Sequence, residues 1–126
     1  MIHIPHPEWV NIYTDIEDIG DGTMIGPFTE IQVGVKIGKN CRIQSHTFIA
    51  TNTVIEDDCF IGHGVMFVND LYPPQPKEKW GKTLVKKGSV IGSNATILPC
   101  VIDGIIGAGS VVTEDVFGIV KGNPAR

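Results

Sequence analysis

The chain has 126 residues and a mass of 13.6 kDa, which suffices for one domain with a buried core and not for two. Its formal net charge of −4 excludes the basic surface that nucleic acids or anionic membranes require. The aliphatic residues comprise 18 Ile and 13 Val but only 3 Leu and 4 Ala. Because β-branched residues favour extended chain, whereas Leu and Ala favour helices, this composition excludes a mostly helical protein.

The sequence contains no apolar run of about 18 residues, so it predicts no membrane-spanning segment. Its first residues, MIHIPHPEWV, lack the charged and apolar regions of a signal peptide, and we therefore expect a cytoplasmic protein. The three cysteines, Cys41, Cys59 and Cys100, are odd in number and form no CxxC pair. This pattern supports neither a disulfide framework nor a zinc motif.

Isoleucine recurs at every sixth position from residue 19 to residue 61, and aliphatic or aromatic residues extend the series to Val112. Glycine directly follows the repeated position at residues 20, 26, 38, 62, 92 and 107. A period of six fits no helix, but it returns the same side of a short strand after each turn. The repeat therefore predicts a parallel β-solenoid whose apolar positions form internal ladders, with coils about 4.8 Å apart.

This repeat resembles that of the hexapeptide-repeat acyltransferases, which are left-handed parallel β-helices with 18 residues per coil. The resemblance implies an all-β fold, with residues 1–18 as an N-terminal cap segment and residues 19–126 as the β-helix domain. Residues 18 apart then stack, which puts Ser45 against His63. The cysteines fall on small inward positions and are most simply core residues.

Two irregularities interrupt the repeat. From Phe67 to Val85 there are 18 residues where six are expected, and the extra residues, 73–84, contain three prolines and several charges. We expect an exposed loop of functional importance there, because loops on a rigid scaffold often carry binding residues. From Ile97 to Ile106 there are nine residues where twelve would keep the register. This predicts either a distorted last coil or a deletion.

Two segments carry a closer resemblance: IQSHTFI at 43–49 and FIGHGVMFVNDLYPP at 60–74. They are similar to N-acetyltransferases that modify amino groups on nucleotide-linked sugars, especially dTDP-3-amino-3,6-dideoxyhexoses. The segments IGAGSVVTED and GNPAR are shared by the wider family and indicate only acyl-CoA. The resemblance implies transfer of an acetyl group from acetyl-CoA to a dTDP- or UDP-linked amino-deoxysugar.

The stretch from Asn69 to Tyr72 opens the expected loop. Amine acetylation needs a proton acceptor and a group that holds the oxyanion. Asp70 is our first candidate catalytic residue, as a carboxylate that orients the amine, and Asn69 offers an amide to the amine or to the thioester oxygen. Tyr72 is a candidate substrate-binding residue. The alternative is an Asx turn that opens the loop, and both descriptions are compatible.

His46 and His63 fall at coil corners, outside the isoleucine ladders. We assign His46 a catalytic and His63 a substrate-binding role. A solvated corner or a structural subunit contact is the alternative for both.

The resemblance also implies a coenzyme A site. Ser93 and Ala108 match corner positions whose backbone holds the pantetheine arm, and Thr113 matches a residue near the adenine. Lys121 and Arg126 would meet the phosphates, a role that suits exposed cations. We expect no metal.

Outward apolar residues, among them Phe28, Phe48, Phe60 and Met66, suggest a covered surface. The family forms homotrimers with active sites between subunits, so the resemblance implies one here.

Three other functions fit the sequence less well. In galactoside-type O-acetyltransferases a histidine near this loop is the base for a hydroxyl. None occurs between Asn69 and Tyr72 here, which favours an amine, so O-acetyl transfer to a sugar or serine hydroxyl is the runner-up. A γ-class carbonic anhydrase needs a third zinc-binding histidine, which the repeat does not supply. A non-catalytic scaffold does not account for the Asn69–Asp70 turn, the long loop or the GNPAR tail.

Overall fold

The computed structural model describes residues 1–126 and consists almost entirely of short parallel strands. Three single-turn 3-10 helices are the exceptions: Pro7–Trp9, Ile16–Asp18 and Lys77–Lys79. The strands are β1 Asn11–Ile12, β2 Met24–Ile25, β3 Glu30–Ile31, β4 Lys36–Ile37, β5 Arg42–Ile43, β6 Phe48–Ile49, β7 Thr53–Ile55, β8 Phe60–Ile61, β9 Met66–Phe67, β10 Thr83–Val85, β11 Val90–Ile91, β12 Thr96–Ile97, β13 Val101–Ile106, β14 Val111–Val112 and β15 Val116–Val120. None of these single-turn helices could span a lipid bilayer.

The strands form three faces around one core. Face A contains β4, β7 and β10; face B contains β2, β5, β8 and β11; face C contains β1, β3, β6, β9, β12 and β14. All pairings are parallel, and Arg42 lies opposite Phe60 and Phe48 opposite Met66, so residues 18 apart stack. The expected all-β parallel β-helix is confirmed, and its three-sided coil is consistent with the left-handed winding that the resemblance implies.

The core is the stack of inward residues that the period of six identifies. It contains 24 buried hydrophobic residues, and the central isoleucines, for example Ile43, Ile61 and Ile91, have no exposed surface. Successive Ile side chains stack because their strands pair in register, with Ile43 opposite Ile61 and Ile61 opposite Ile91. Small residues fill the position beside each corner.

The three cysteines are buried and free. The Cys41 thiol donates to the Glu56 carbonyl and the Cys59 thiol to the Lys86 carbonyl. The Cys41 sulfur and burial both raise the pKa of Cys59, and burial with the charge of Asp115 raises the pKa of Cys100 to about 12. All three therefore occupy the core positions expected for them.

The corner between faces B and C, which we call the B–C corner, contains Ser45, His63, Ser93 and Ala108 one above another, and Lys121 stacks on Gly107, the residue before Ala108. Gly62 precedes His63, and a Cβ atom there would lie 2.6 Å from the Ser93 nitrogen. Glycine is required before this corner because the next coil approaches so closely. The following residue turns with positive φ, and it is Phe28, His46, Gly64, Asn94 or Gly109 in successive coils.

The missing three residues near the end are explained by β13. Val101 and Ile102 pair with β10 of face A, while Ile105 and Ile106 pair with β11 of face B. One continuous strand thus replaces a corner, and β15 follows it residue for residue. The last two coils are therefore both shortened at this corner, and the strand pairing of the β-helix continues through them.

The long loop differs from the expected bounds of 73–84. Strand β10 begins at Thr83, which is buried and pairs with Thr53, so Thr83 and Leu84 belong to the coil. Val68 makes the last ladder bond before the loop, to the Ile97 carbonyl, and the loop comprises residues 69–82. Both ends of the loop lie earlier than predicted, because the proline-rich segment marks only the irregular part of the loop.

Candidate active site

Ser45 joins the two histidines of the B–C corner. Its Oγ lies 3.0 Å from His46 Nδ1 and 3.0 Å from His63 Nδ1. His46 follows Ser45 in the chain, whereas His63 comes from the next coil, so the stacking of residues 18 apart creates this cluster. Both imidazoles are exposed. Their Nε2 atoms therefore remain accessible for proton transfer.

The backbone holds this cluster in place. The His46 amide donates to the Pro27 carbonyl at 3.1 Å, and the Ser45 carbonyl accepts from the Gly64 amide at 2.9 Å. The His63 amide donates to Ser93 Oγ at 3.1 Å. Because all three chain segments are tethered, the imidazoles branch from a rigid corner.

Aromatic rings extend the cluster toward the N-terminal coil. The Phe28 and His46 rings lie 5.0 Å apart between centroids, and the Trp9 and Phe28 rings lie 5.7 Å apart. The repeat predicts Phe28 only as an outward apolar residue and indicates no role for Trp9. The spacing of 18 between Phe28 and His46 was the signal that would have joined them.

The B–C corner also offers unused hydrogen-bond donors. The backbone amides of Ser93 and Ala108 donate to no acceptor within the chain. Lys121 lies beside the end of this row, because it stacks on Gly107, the residue before Ala108: a Cβ atom on Gly107 would lie 2.9 Å from Lys121 Cβ. Three coil steps of about 4.8 Å, or about 14 Å, separate His63 from Lys121. An extended chain with amide carbonyls and a terminal phosphate, such as the pantetheine arm of coenzyme A, fits such a row.

Of the other residues assigned to coenzyme A, Lys121 and Arg126 lie near this row, and Thr113 lies at the far edge of face C. Lys121 and Arg126 exchange backbone hydrogen bonds of 3.2 and 2.9 Å, so the two exposed cations adjoin each other. Thr113 is exposed beyond β14, at the opposite end of that strand from Ala108. The structure therefore groups Ser93, Ala108, Lys121 and Arg126, and it separates Thr113 from them.

Asp70 uses both carboxylate oxygens within its own loop. Oδ1 accepts from the Tyr72 amide at 3.2 Å, and Oδ2 accepts from the Gln75 amide at 2.8 Å. These bonds form the Asx turn that the sequence analysis named as the alternative. A carboxylate has about four lone-pair sites, so Asp70 retains capacity for an ammonium group. Its catalytic role stays a prediction.

Asn69 closes the base of the loop. Its Nδ2 donates to the Thr51 carbonyl at 3.1 Å, and its own carbonyl accepts from the Gly81 amide at 2.7 Å. The side-chain Oδ1 makes no hydrogen bond within the chain and is free to accept one. The Tyr72 side chain is largely exposed and has no hydrogen-bond partner in the chain.

The loop and the histidines lie at opposite edges of face C. His63 precedes β9 and Asn69 follows it, so six residues of chain, at most about 20 Å, separate them. Phe48 and Met66 project outward between them. One chain therefore does not bring Asp70 to the histidines.

The largest cavity, about 460 Å³, lies beneath the loop. Tyr13 and Trp80 contribute aromatic walls, and Glu30, Gln32 and Lys77 contribute polar groups. None of the residues assigned from sequence lines it. The histidines of the B–C corner lie on open surface at the other edge of face C. No three His, Cys, Asp or Glu side chains are grouped to bind a metal ion.

Comparison with known proteins agrees with the repeat. The family model described as bacterial transferase hexapeptide (six repeats) matches residues 18–51. The chain is 48% identical over 54 residues to dTDP-3-amino-3,6-dideoxy-alpha-D-galactopyranose 3-N-acetyltransferase of Aneurinibacillus thermoaerophilus, which covers 39% of this chain and 28% of that protein. It is 30% identical over 117 residues to the bifunctional protein GlmU of Shouchella clausii, covering 78% of this chain and 25% of GlmU. The chain thus spans about a quarter of the length of these curated relatives.

Among solved structures, the chain resembles a mutant of perosamine N-acetyltransferase from Caulobacter crescentus, in complex with CoA and GDP-perosamine. The TM-score is 0.73 and the identity 21%, with 99% of this chain and 52% of that chain covered. At this identity the likeness concerns the fold, and it extends over nearly the whole β-helix.

Proposed function

We propose that this chain, which belongs to the hexapeptide-repeat transferases, is an acetyl-CoA-dependent N-acetyltransferase acting on the amino group of a nucleotide-linked amino-deoxysugar. The observation that carries the proposal is the B–C corner. There, a Ser45-bridged histidine pair stands at one end of a row of free backbone amides that ends at Lys121. The similarity to a dTDP-amino-sugar N-acetyltransferase supports the nature of the acceptor.

The row of free amides is suited to binding acetyl-CoA, the thioester substrate. The amides of Ser93 and Ala108 would hold the carbonyl groups of the pantetheine arm, and Lys121 with Arg126 would bind phosphates. Bound in this direction, acetyl-CoA presents its thioester toward His63. Thr113 remains a candidate for the adenine end.

The acetyl transfer requires a deprotonated amine. The amine attacks the thioester carbonyl, the C–N bond forms, and the C–S bond breaks as coenzyme A leaves as the thiolate or thiol. The nitrogen loses one proton in this sequence, and the exposed Nε2 atoms of His46 and His63 are suited to accept it. Asp70 and Asn69 would hold the ammonium group before reaction, with Tyr72 beside the sugar.

The separation of Asp70 from the histidines supports a site shared between subunits. A second copy that packs its loop against this chain's B–C corner would bring the two groups together and cover Phe48 and Met66. We therefore propose a homotrimer in the cytoplasm, where acetyl-CoA is available. Light scattering should give three times the 13.6 kDa chain mass, and a stable monomer with full activity would contradict the shared site.

The function is tested by a thiol-release assay with acetyl-CoA and a panel of dTDP- and UDP-linked sugars. We expect release with amino sugars and none with their hydroxyl counterparts. Release with hydroxyl sugars alone would indicate O-acetyl transfer instead. No release with either class would contradict both activities and favour a scaffold.

A further inference from the structure

We propose that Ser45 is a positioning residue that holds His46 and His63 in opposite tautomers. A serine hydroxyl carries one proton, and its oxygen faces Nδ1 of both rings at 3.0 Å. When both rings are neutral, the hydroxyl donates to one Nδ1 and accepts an N–H from the other. One histidine therefore carries its proton on Nδ1 and the other on Nε2.

The consequence concerns the outward nitrogens. The ring with Nδ1–H exposes a bare Nε2 lone pair, and the other ring exposes an Nε2–H. Without a partner at Nδ1, neither tautomer would be fixed by a contact with the chain. Ser45 thus places one proton acceptor and one proton donor at the B–C corner, on rings 17 residues apart in sequence but on adjacent coils.

The arrangement also forms a proton path. A proton that binds the bare Nε2 makes an imidazolium, whose Nδ1–H passes to Ser45 Oγ. The hydroxyl proton then passes to Nδ1 of the second ring, and that ring releases its Nε2 proton to solvent. One proton enters and one leaves, and the serine ends as a hydroxyl. Both rings are exposed, so substrate and water can reach the two ends.

The rigidity of the corner makes the bridge specific. The backbone of each partner is hydrogen-bonded: Ser45 through its carbonyl to Gly64, His46 to Pro27, and His63 to Ser93 Oγ. These bonds fix the three Cα positions, so the short serine side chain reaches both rings without rearrangement. This inference rests on the proposed function only for its catalytic consequence.

Nitrogen NMR of the protein with ¹⁵N-labelled histidine tests the tautomers directly and needs no substrate. We expect one ring with Nδ1–H and one with Nε2–H at pH above the histidine titration, assigned with His46→Gln and His63→Gln. In Ser45→Ala the two rings should no longer hold opposite tautomers. In Ser45→Thr, which keeps a hydroxyl, the opposite tautomers should return. The same tautomer in both wild-type rings, or unchanged spectra in Ser45→Ala, would overturn the inference.

Kinetics test the catalytic consequence separately. Ser45→Ala should lower kcat about 100-fold while leaving the KM for acetyl-CoA unchanged, and Ser45→Thr should restore kcat. Opposite tautomers in a protein that transfers no acetyl group would support the bridge and overturn the proposed function. Acetyl transfer at the wild-type rate by Ser45→Ala would overturn the catalytic use of the bridge.

Discussion

Gly104 and Gly118 lie backbone to backbone in the last two coils, so close that a Cβ atom on Gly104 would collide with the Gly118 carbonyl. They stand where β13 and β15 run straight past the position of a corner, and the Gly104 amide donates to Ser89 Oγ at 3.1 Å. The strands can run this close because Gly104 carries no side chain at the contact, whereas a Cβ atom on Gly118 would meet nothing within 4 Å. This relationship leads to a direct test.

Gly104→Ala should destabilise the protein by about 3 kcal/mol, because the new methyl group forces the two strands apart. Gly109→Ala is the matched control: its φ is +71°, but a Cβ atom there meets nothing within 4 Å. That substitution should cost only about 1 kcal/mol of backbone strain. Urea unfolding measures both changes, and equal losses would contradict the close approach.

Asp70→Asn should lower kcat for the amino-sugar substrate more than tenfold, because it removes the charge that orients the ammonium and disturbs the Asx turn. Asp58→Asn is the control. Asp58 is an exposed corner residue with φ 60°, and Asn40 occupies the equivalent corner one coil away. It should leave kcat unchanged. Wild-type turnover in Asp70→Asn would contradict the assigned role.

Lys121→Ala should raise the KM for acetyl-CoA about tenfold, corresponding to about 1.4 kcal/mol, with kcat unchanged. The expected cause is a lost ion pair with a coenzyme A phosphate. Lys36→Ala serves as a control, since Lys36 projects outward from face A in β4. Acetyl-pantetheine, which lacks these phosphates, should show the same KM with wild-type protein and Lys121→Ala. A rise with both substrates would point to a structural effect.

Stability should fall as the pH rises from 9 toward 12, in part through Cys100. Burial, followed by the charge of Asp115, raises the pKa of Cys100 from 9.0 to about 12 in the folded protein. Because the unfolded chain releases this proton first, ionisation favours unfolding throughout that interval. The contribution reaches at most about 1.4 kcal/mol per pH unit for one proton.

Cys100→Ala isolates this contribution from the other groups that titrate at alkaline pH. Its free energy of unfolding should decline less steeply than that of wild-type protein between pH 9 and 11. The difference between the two slopes, measured by urea unfolding, reports the single thiol. Identical slopes would show that Cys100 has an ordinary pKa in the folded state.

The β-helix was predictable because its information is local and repeated. Three features recur along the chain: an inward residue every six positions, a small residue beside each corner, and glycine where coils approach each other. Each coil therefore repeats the same sequence pattern. The stacking of Ser45 on His63 and of Phe48 on Met66 followed from the coil length alone. The candidate histidines were likewise placed at corners by counting, whereas the assignments of Ser93, Ala108 and Lys121 came from the resemblance to the family.

The contacts that decide the chemistry were not predictable in this way. A repeat period says which residues share a corner, but the bridging of two rings by the Ser45 hydroxyl depends on side-chain direction. The period also breaks at β13, where only the pairing with β10 and β11 shows how nine residues replace twelve. The bonds from Asp70 to its own loop belong to an irregular segment that has no repeat.

The sequence alone determined which residues form the core. An aliphatic residue at every sixth position is buried each time only if every turn of a short-stranded coil points that position inward. The tertiary structure decided which polar groups meet: it paired His46 with His63 through Ser45 and kept Asp70 at the opposite edge of face C. Hydrophobic burial is non-directional and follows the pattern of residue types. Hydrogen bonds require particular distances and angles, which only the folded chain supplies.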